Sequence, residues 1–501
     1  MPGGKVGGVG DVVRDLPAAL TSLGWRVTVV TPSYGMLAAI GGSSRRAAID
    51  VNFRGSARSV QVFRVPGCHA DVENLVFEHP LFSPLGPGRI YATRENDGPF
   101  ATDASKFALF GAAAAEFIHQ LASMPDVVHA HDWHAANYFL LRAFAPRHRK
   151  LLTLRTVFSI HNIAYQGTRP LRGDDSSLEA WFPGMTYDRA MVSDPHAVEC
   201  VNPMALAIRS ADKVSTVSPT YAREIRQPSD PQQGFYGGEG LEAELDKVAR
   251  GNRLFGILNG CEYPRSHRRR PGWNRLTACV AGEIERWSPS GGTHDSHRAA
   301  GKCLEALPRR RPRHLLVSVG RLVQQKVALF LEPLGDGRSA LEHLVESLGK
   351  DGVMMILGTG EARFESEIAA IAGRYKRLLF LRGYSEPLAD MLYRGGDLFL
   401  MPSGFEPCGI SQMLAMRAGQ PCVVHAVGGL RDTVSDGRTG FAFTGSDPRE
   451  QAVQFVATVA KALRFKASDR DGWQAMRRAA AAERFDWQKS ARETIECLYE
   501  R

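Results

Sequence analysis

The sequence lacks the features of membrane-spanning and disulfide-stabilised proteins. No run of about 18 apolar residues occurs, so no transmembrane helix is predicted. None of the eight cysteines forms a Cys-x-x-Cys pair, which argues against a zinc ribbon or a disulfide framework. No apolar stretch precedes Lys5, so a secretory signal is not expected. These absences favour a reducing compartment, and we expect a cytoplasmic protein.

The chain also has no extreme of composition. Apolar residues make up 44% and charged residues 23% of its 501 residues, which excludes the disordered and collagen-like classes. A single hydrophobic core stops growing well below this length, so two or more domains are expected.

The net charge is a modest +9, and much of the excess lies in two basic tracts, residues 265–270 and 309–313. Runs of lysine and arginine can bind nucleic acid. These tracts flank a polar stretch that contains proline and glycine, without interleaved aromatic residues. We therefore interpret them as a solvated linker or a cleft rim, and we expect neither a nucleic-acid nor a membrane partner.

Short apolar runs alternate with helical stretches in both halves of the chain. This alternation predicts an α/β protein with parallel sheets covered by helices, and two such series predict two Rossmann-like domains. The apolar runs lie at residues 26–30, 127–129, 156–160, 213–217, 315–319, 353–357, 378–381, 398–401 and 421–424.

The same pattern divides the chain into four parts. Residues 1–260 are predicted to form the first domain, and residues 314–485 the second. Between them, residues 261–313 are basic and poor in strand pattern, so we interpret them as an interdomain connection with one helix. Residues 486–501 are predicted to form a terminal helix.

A glycine-rich loop, KVGGVGD at residues 5–11, precedes the first helical stretch. Glycines let backbone amides approach a phosphate closely, a helix N-terminus favours negative charge, and Lys5 adds a positive charge. The alternative is a tight turn without a ligand. Such a loop normally follows the first strand of a Rossmann domain, and no room for that strand precedes Lys5. We therefore expect the first strand of this domain to be missing or supplied otherwise.

Two histidine-containing motifs follow strands of the first half, VHAHDWH at residues 128–134 and SIHNIAYQG at residues 159–167. Polar residues at the carboxyl ends of parallel strands usually face a cleft. A zinc motif would need Asp132 one place later and a second ligand cluster, so no metal is expected. We interpret Asp132 as a ligand of sugar hydroxyls and His161 as a cleft residue. A structural role is the alternative for each histidine.

A pair of cations follows the first strand of the second half in SVGRLVQQK, residues 318–326. The planar guanidinium of Arg321 and the point charge of Lys326 suit a diphosphate. They could stabilise the charge of a departing group, which a metal ion does in other enzymes. The alternative is a pair of solvated loop cations.

A further motif, PSGFEPCGISQ at residues 402–412, joins a strand to a helix. Glu406 is predicted to point into the cleft, with the amides of Cys408, Gly409, Ile410 and Ser411 facing an anion at the helix start.

Taken together, the motifs resemble a known enzyme family over nearly the whole chain. The chain resembles the bacterial glycogen synthases and plant starch synthases, retaining glucosyltransferases of glycosyltransferase family 5 with the GT-B fold. In that fold two Rossmann-like domains face each other across a cleft. The matching motifs, in the family's order, are KVGGVGDVV, HAHDWH, SIHNIAYQG, VSTVSPTYA, GILNG, SVGRLVQQK, SGFEPCGISQ and VGGLRDTV.

The resemblance implies transfer of glucose from ADP-glucose or UDP-glucose to the non-reducing end of an α-1,4-glucan, with retention and without a cofactor. It also implies that the terminal helix after Trp487 crosses back to the first domain. For the donor, the resemblance implies a loop at Lys5, Gly7 and Gly8, a diphosphate clamp at Arg321 and Lys326, and a stacking surface for the nucleobase at Tyr384. It implies that Glu406 contacts the donor sugar and that His161, with Asn162, lies beside the anomeric centre. Asp132 is implied to be a sugar or acceptor ligand.

Two alternatives remain at this stage. One is a glucan- or nucleotide-binding homologue that has lost catalysis with its first strand. The other is a different GT-B glycosyltransferase, such as one that makes sucrose. No oligomeric state is predicted.

Overall fold

A computed structural model of the chain describes residues 7–91, 100–263, 269–288 and 295–500, which fold into two compact α/β units. The first unit consists of Met1–Ser229, Gly237–Gly260 and Asp486–Arg501. The second consists of Asp230–Tyr236 and Cys261–Phe485. The chain therefore passes between the units four times.

Sixteen strands lie within the described residues, numbered here through both units. In chain order they are β1 (Val27–Pro32), β2 (Ser44–Phe53), β3 (Ser56–Arg64), β4 (Val72–Glu78), β5 (Val127–His131), β6 (Arg155–Ile160), β7 (Arg169–Pro170), β8 (Cys200–Val201), β9 (Lys213–Thr216), β10 (Leu254–Gly256), β11 (His314–Val319), β12 (Gly352–Gly358), β13 (Leu378–Arg382), β14 (Leu398–Met401), β15 (Cys422–His425) and β16 (Gly440–Phe443).

Nineteen α-helices connect and cover these strands in the described parts of the chain. They are α1 (Gly8–Ser22), α2 (Ala101–Gln120), α3 (Asp132–Phe144), α4 (Leu178–Trp181), α5 (Arg189–Val192), α6 (Pro203–Ser210), α7 (Pro219–Glu224), α8 (Glu242–Arg250), α9 (Trp273–Trp287), α10 (Asp295–Glu305), α11 (Gln324–Leu331), α12 (Ala340–Ser347), α13 (Ala362–Arg374), α14 (Glu386–Gly395), α15 (Ser411–Arg417), α16 (Gly428–Thr433), α17 (Pro448–Ser468), α18 (Arg470–Ala482) and α19 (Trp487–Thr494).

The first unit contains two four-stranded sheets and one short strand pair. The sheet β10-β9-β6-β5 is parallel throughout. The sheet β1-β4-β3-β2 is mixed, with β1 parallel to β4 and the other pairs antiparallel. The prediction that no first strand precedes the glycine-rich loop falls on residues 1–6, which lie outside the described residues.

The second unit is built on one six-stranded parallel sheet with the order β13-β12-β11-β14-β15-β16. Strand β12, next to the edge strand β13, is buried at every position, which explains its continuous apolar sequence, GVMMILG. The strand order changes direction between β11 and β14, so the crossovers leave the sheet on opposite sides of that point. The predicted α/β class with parallel sheets in two domains is confirmed.

The end of the chain packs against its beginning within the first unit. Val12 and Leu16 of α1 form a buried cluster with Trp487 and Ala491 of α19. A side chain at Gly260 would lie 2.6 Å from the backbone nitrogen of Trp487, so the chain can pass this point only as glycine. The terminal segment is thus part of the first unit's core.

Two helices, α9 and α10, lie within residues 261–313, where the sequence predicts one. Trp273, Leu276, Val280 and Ile284 of α9 are buried in a core cluster of the second unit. Their spacing of three or four residues is helical, but the basic residues on both sides of this stretch conceal the pattern in the sequence.

A buried carboxylate stabilises the start of the second sheet. Asp397, just before β14, is only 7% exposed and accepts the backbone N–H of Leu315 (2.9 Å). It also pairs with Arg270, with Lys466 (3.0 Å) and with Arg311 (3.5 Å). Burial alone would raise the pKa of Asp397, but Lys466, Arg270 and Arg311 lower it below its ordinary value.

Replacing Asp397 by asparagine should lower the free energy of unfolding by about 3 kcal/mol at pH 7, because the cations lose their buried partner. The pKa of Asp397 is lower in the native than in the unfolded state. Its carboxylate therefore contributes fully to the free energy of unfolding above the unfolded pKa, and this contribution is lost as the pH falls through the native pKa. Urea unfolding at pH 7 and pH 3 should therefore show a smaller difference between variant and wild type at pH 3. Glu346→Gln, at an exposed pair with Arg338 (2.5 Å), is the control and should cost much less. Equal losses in the two variants would contradict the assignment.

Candidate functional site

Three predicted residues lie just beyond strands that end at one edge of the second sheet, and two of them, Lys326 and Glu406, are in contact. The parallel strands of this sheet all end at that edge, and the change of direction between β11 and β14 opens a crevice in which α/β proteins bind ligands. Arg321 follows β11, Lys326 lies in the first turn of α11, and Glu406 follows β14. The structure thus brings together cations and a carboxylate that are far apart in the sequence.

Lys326 and Glu406 form a close ion pair. The Lys326 ammonium donates to Glu406 Oε2 at 2.7 Å, and the Ser403 hydroxyl donates to the same oxygen at 3.1 Å. Glu406 is 6% exposed, whereas Arg321, in the loop before α11, is exposed. A cation and a hydroxyl therefore lie directly against this buried carboxyl group.

Backbone contacts fix the loop that carries Glu406. Gln325 accepts the N–H of Gly404 at its carbonyl (2.8 Å) and donates its side-chain amide to the carbonyl of Phe405 (2.9 Å). The carbonyl of Glu406 accepts the N–H of Gly429 (3.0 Å). A side chain at Gly429 would lie 2.2 Å from the carbonyl oxygen of Cys408, so only glycine permits this approach. The loop is therefore held from two sides.

The predicted anion-facing residues lie just beyond this loop. Cys408 is buried, and Gly409 has a φ of +74°, a conformation that favours glycine. Ile410 precedes α15, and Ser411 is its first residue and accepts a hydrogen bond from the hydroxyl of Tyr393 (3.2 Å). Their contact with an anion stays a prediction.

Tyr384, the predicted stacking residue, follows β13 at the same edge of the sheet. Its side chain is 61% exposed, and its hydroxyl donates to Glu386 at 3.2 Å. Its role as a stacking surface for the nucleobase stays a prediction.

In the first unit, Asp132 and His161 meet at the carboxyl ends of β5 and β6. Asp132 is the first residue of α3 and has a φ of 53°, in the left-handed region. Its Oδ1 accepts the backbone N–H of His161 (2.7 Å) and, at 3.4 Å, that of Asn162. Asp132 therefore connects the two predicted motifs, and Asn162 stands partly exposed beside it.

The carboxyl of Asp132 is protonated more readily than an ordinary aspartic acid. It is 4% exposed, and burial raises its pKa to about 7, although the two backbone N–H groups oppose the shift. Within the described parts of the chain, its hydrogen-bond partners are these two N–H groups, with no cation among them, whereas Glu406 pairs with Lys326.

The imidazoles of the same two motifs are neutral. His131 Nδ1 lies 3.0 Å from His161 Nε2. Burial lowers the pKa of His131 to about 4, and burial together with His131 and His134 lowers that of His161 well below its ordinary value. Further out, His134 Nε2 lies 3.1 Å from the hydroxyl of Tyr91. The edge thus offers hydrogen-bonding groups without positive charge.

The glycine-rich loop is described only in part. Gly7 precedes α1 with a φ of 78°, and Gly8 is the first residue of that helix. No described side chain caps the helix N-terminus, so its first amides have no side-chain acceptor there. Lys5 lies outside the described residues.

Sequence reasoning missed one aromatic contact beside Glu406. Tyr236 belongs to a short hairpin of the second unit in which Asp230 and Phe235 exchange both backbone hydrogen bonds (2.9 Å each). The ring of Tyr236 packs on that of Phe405, with centroids 4.9 Å apart. The available signal was a pair of aromatic residues in the glycine-rich stretch GFYGG, residues 234–238.

The described residues contain neither a candidate metal site nor a candidate membrane span. No three histidine, cysteine or acidic side chains in that part of the chain are grouped so that they could hold a metal ion. No helix in it is long and apolar enough to cross a membrane.

Comparison with known proteins gives matches over nearly the whole chain. Residues 1–247 match the family model of the starch synthase catalytic domain, and residues 313–461 that of glycosyl transferases group 1. A glycogen synthase of Anaeromyxobacter sp. is 34% identical over 99% of this chain and 96% of its own length. A glycogen synthase of Desulfitobacterium hafniense is 31% identical, also over 99% and 96%.

Solved structures agree with these matches. The catalytic domain of starch synthase IV from Arabidopsis thaliana, bound to ADP and acarbose, superposes with a TM-score of 0.76 at 25% identity, covering 99% of this chain and 96% of that one. Sucrose-phosphate synthase from Thermosynechococcus elongatus, with a TM-score of 0.54 at 17% identity, shares the fold.

Two Rossmann-like units, with cations and a carboxylate at the switch point of one of them, define a glycosyltransferase of the GT-B fold. The chain belongs to the glycogen synthase and starch synthase family. Its predicted membership and its class as an enzyme are thereby confirmed.

Replacing Asp132 by asparagine should stabilise the protein at neutral pH relative to acidic pH. The native pKa of about 7 exceeds the unfolded value of 3.8, so ionisation of Asp132 destabilises the fold progressively as the pH rises between these values. Asparagine keeps an acceptor for the N–H of His161 but cannot ionise. The free energy of unfolding of the variant minus that of wild type should therefore rise by about 3 kcal/mol from pH 5 to pH 8. A difference that stays constant with pH would show that Asp132 titrates normally.

Proposed function

We propose that the chain transfers glucose from a nucleoside diphosphate glucose to the non-reducing end of an α-1,4-glucan and keeps the α configuration. The observation that carries the proposal is the Lys326–Glu406 pair (2.7 Å) at the sheet's switch point, with Arg321 in the adjoining loop, in a chain of this family. We expect the reaction to take place in the cytoplasm and to use ADP-glucose, because the Arabidopsis starch synthase IV was solved with ADP.

The donor's diphosphate would bind where the cations lie. A guanidinium can donate to two phosphate oxygens at once, which suits the exposed Arg321. Lys326 would turn from Glu406 to the diphosphate when the donor binds. That exchange frees a carboxylate oxygen of Glu406 to accept hydrogen bonds from hydroxyls of the donor sugar. Two separate contacts, Lys326 with the diphosphate and Glu406 with the donor sugar, would thus replace the ion pair.

The cations also act on the chemical step. As the bond between the anomeric carbon and the diphosphate oxygen breaks, negative charge grows on the departing diphosphate, and Arg321 and Lys326 stabilise it. The glucan hydroxyl attacks the same face, and its proton passes to the departing phosphate. The new glycosidic bond then has the configuration of the bond that was broken.

In the first unit, His161 would lie beside the anomeric centre, with Asp132 and Asn162 as ligands of sugar hydroxyls. Their environment supports these roles, because the depressed pKa of His161 keeps its imidazole neutral while positive charge develops on the sugar. The remaining proposed donor contacts are the loop of Lys5, Gly7 and Gly8, the ring of Tyr384 against the nucleobase, and the amides of Cys408, Gly409, Ile410 and Ser411.

The proposal predicts incorporation of labelled glucose from ADP-glucose into a glycogen primer, with one ADP released for each glucose incorporated. Glu406→Gln and Lys326→Met should each lower kcat/KM by about 10²- to 10³-fold, because each removes one partner from the charge-stabilising site. A parallel assay with UDP-glucose ranks the two donors.

Glu346→Gln, at the exposed ion pair used above, is the matched control and should keep full turnover. Full turnover by Glu406→Gln would contradict the assignment of the site. Tight ADP binding with no glucose transfer by the wild type would instead identify a binding protein that has lost catalysis.

A further inference from the structure

A row of hydroxyl and imidazole groups crosses the parallel sheet of the first unit behind His161. Ser159 of β6 pairs directly with Ser215 of β9, and their hydroxyl oxygens are 2.6 Å apart. His129 of β5 lies diagonally opposite, with its Nε2 2.6 Å from the Ser159 hydroxyl. Three neighbouring strands thus contribute one polar side chain each to a continuous hydrogen-bonded row.

The row ends on a residue from the other end of the chain. The hydroxyl of Tyr499 lies 2.8 Å from His129 Nδ1. The position of Tyr499 is fixed, because its ring packs on Trp25 (5.0 Å between centroids) and Arg155 of β6 donates to the carbonyls of Leu498 (2.8 Å) and Glu500 (2.6 Å). We call Tyr499, His129, Ser159 and Ser215 the hydroxyl–imidazole row.

The acidities of the groups indicate which of them donates and which accepts along the row. A phenol is a stronger acid than a serine hydroxyl, so Tyr499 is the better donor to His129. Burial raises the pKa of Tyr499, so the phenol keeps its proton. With Nδ1 of His129 accepting from Tyr499, its Nε2 carries the proton and donates to Ser159, which can donate in turn to Ser215. Both nitrogens of His129 are therefore occupied, and its ring plane and tautomer are fixed.

The fixed ring of His129 in turn supports the imidazoles at the candidate site. It stacks on the ring of His131, with centroids 4.3 Å apart and planes 24° apart. His131 Nδ1 lies 3.0 Å from His161 Nε2. A hydrogen bond between these nitrogens requires at least one acceptor, and the depressed pKa values of His131 and His161 keep an acceptor available.

We propose that Tyr499 and His129 are positioning residues for His161, so that the carboxyl-terminal segment takes part in catalysis. The proposal rests on the proposed function for the role of His161 beside the anomeric centre. Tyr499 touches no reacting atom. It acts through the plane of His129, the stacked ring of His131 and the hydrogen bond between His131 and His161.

Tyr499→Phe tests the proposal because it removes one hydroxyl and keeps the ring on Trp25. We expect kcat for glucosyl transfer to fall about three- to tenfold, the effect of one misplaced hydrogen bond, with the KM for the donor unchanged. Ser159→Ala removes the partner at the other nitrogen of His129 and should act in the same direction. Because both changes act through His129, the double variant should lose less than the product of the single losses.

The matched control is Tyr138→Phe, a hydroxyl removal in α3 of the same unit. No hydrogen-bond partner of the Tyr138 hydroxyl is found within the described residues, so kcat should be unchanged. A fall in thermal stability of Tyr499→Phe with normal kcat would overturn the proposal, since it would show a purely structural role. If Tyr499→Phe fails to fold, Ser159→Ala, which leaves the terminal segment intact, decides by the same kcat measurement.

A measurement without substrate separates this proposal from the proposed function. Ring-nitrogen chemical shifts of ¹⁵N-histidine-labelled protein report tautomers and hydrogen bonds directly, with signals assigned through His129→Gln and His131→Gln. We expect a proton on Nε2 of His129 in the wild type, and shifted signals of His131 and His161 in Tyr499→Phe. Unchanged signals of His131 and His161 would overturn the proposal whether or not the protein transfers glucose.

Discussion

Parallel strands joined by covering helices all run the same way, and this constraint determines where the polar side chains of the chain can meet. Every strand of the second sheet ends at the same edge, so residues that follow β11, β13 and β14 become neighbours although long stretches separate them in the sequence. The first unit repeats the arrangement with Asp132 after β5 and His161 after β6. The side chains in these loops differ between the two units. In both units, however, parallel strands bring the loops to one edge of the sheet.

The buried carboxyl groups at the two sheet edges, Glu406 in the second unit and Asp132 in the first, have different hydrogen-bond partners. Glu406 is paired with a lysine and accepts a hydroxyl hydrogen bond. Among the described residues, Asp132 accepts hydrogen bonds from two backbone N–H groups, and burial raises its pKa to about 7. Histidines around Asp132 are held neutral. The second unit therefore presents full charges, which suit an anionic diphosphate, and the first presents neutral hydrogen-bonding groups, which suit sugar hydroxyls.

Much of this could be predicted from the sequence, because buried parallel strands are continuous apolar runs and functional side chains follow them directly. Glu406 after β14 and Arg321 after β11 are recognisable for that reason. The antiparallel strands β2 and β3 were not predicted, since polar and apolar residues alternate there instead of forming a run. Contacts between remote segments, such as Tyr236 on Phe405 or Tyr499 on His129, leave no local pattern.

The packing of α19 against α1 has a consequence for how the protein is made. A ribosome synthesises the chain from its amino end, and domains generally fold as units while the chain emerges. Here α1 precedes the second unit in the chain, whereas its core partners Trp487 and Ala491 follow it. The first unit therefore cannot complete its core until the entire second unit has been synthesised, and in that interval the residues of α1 that pack on α19 lack these partners.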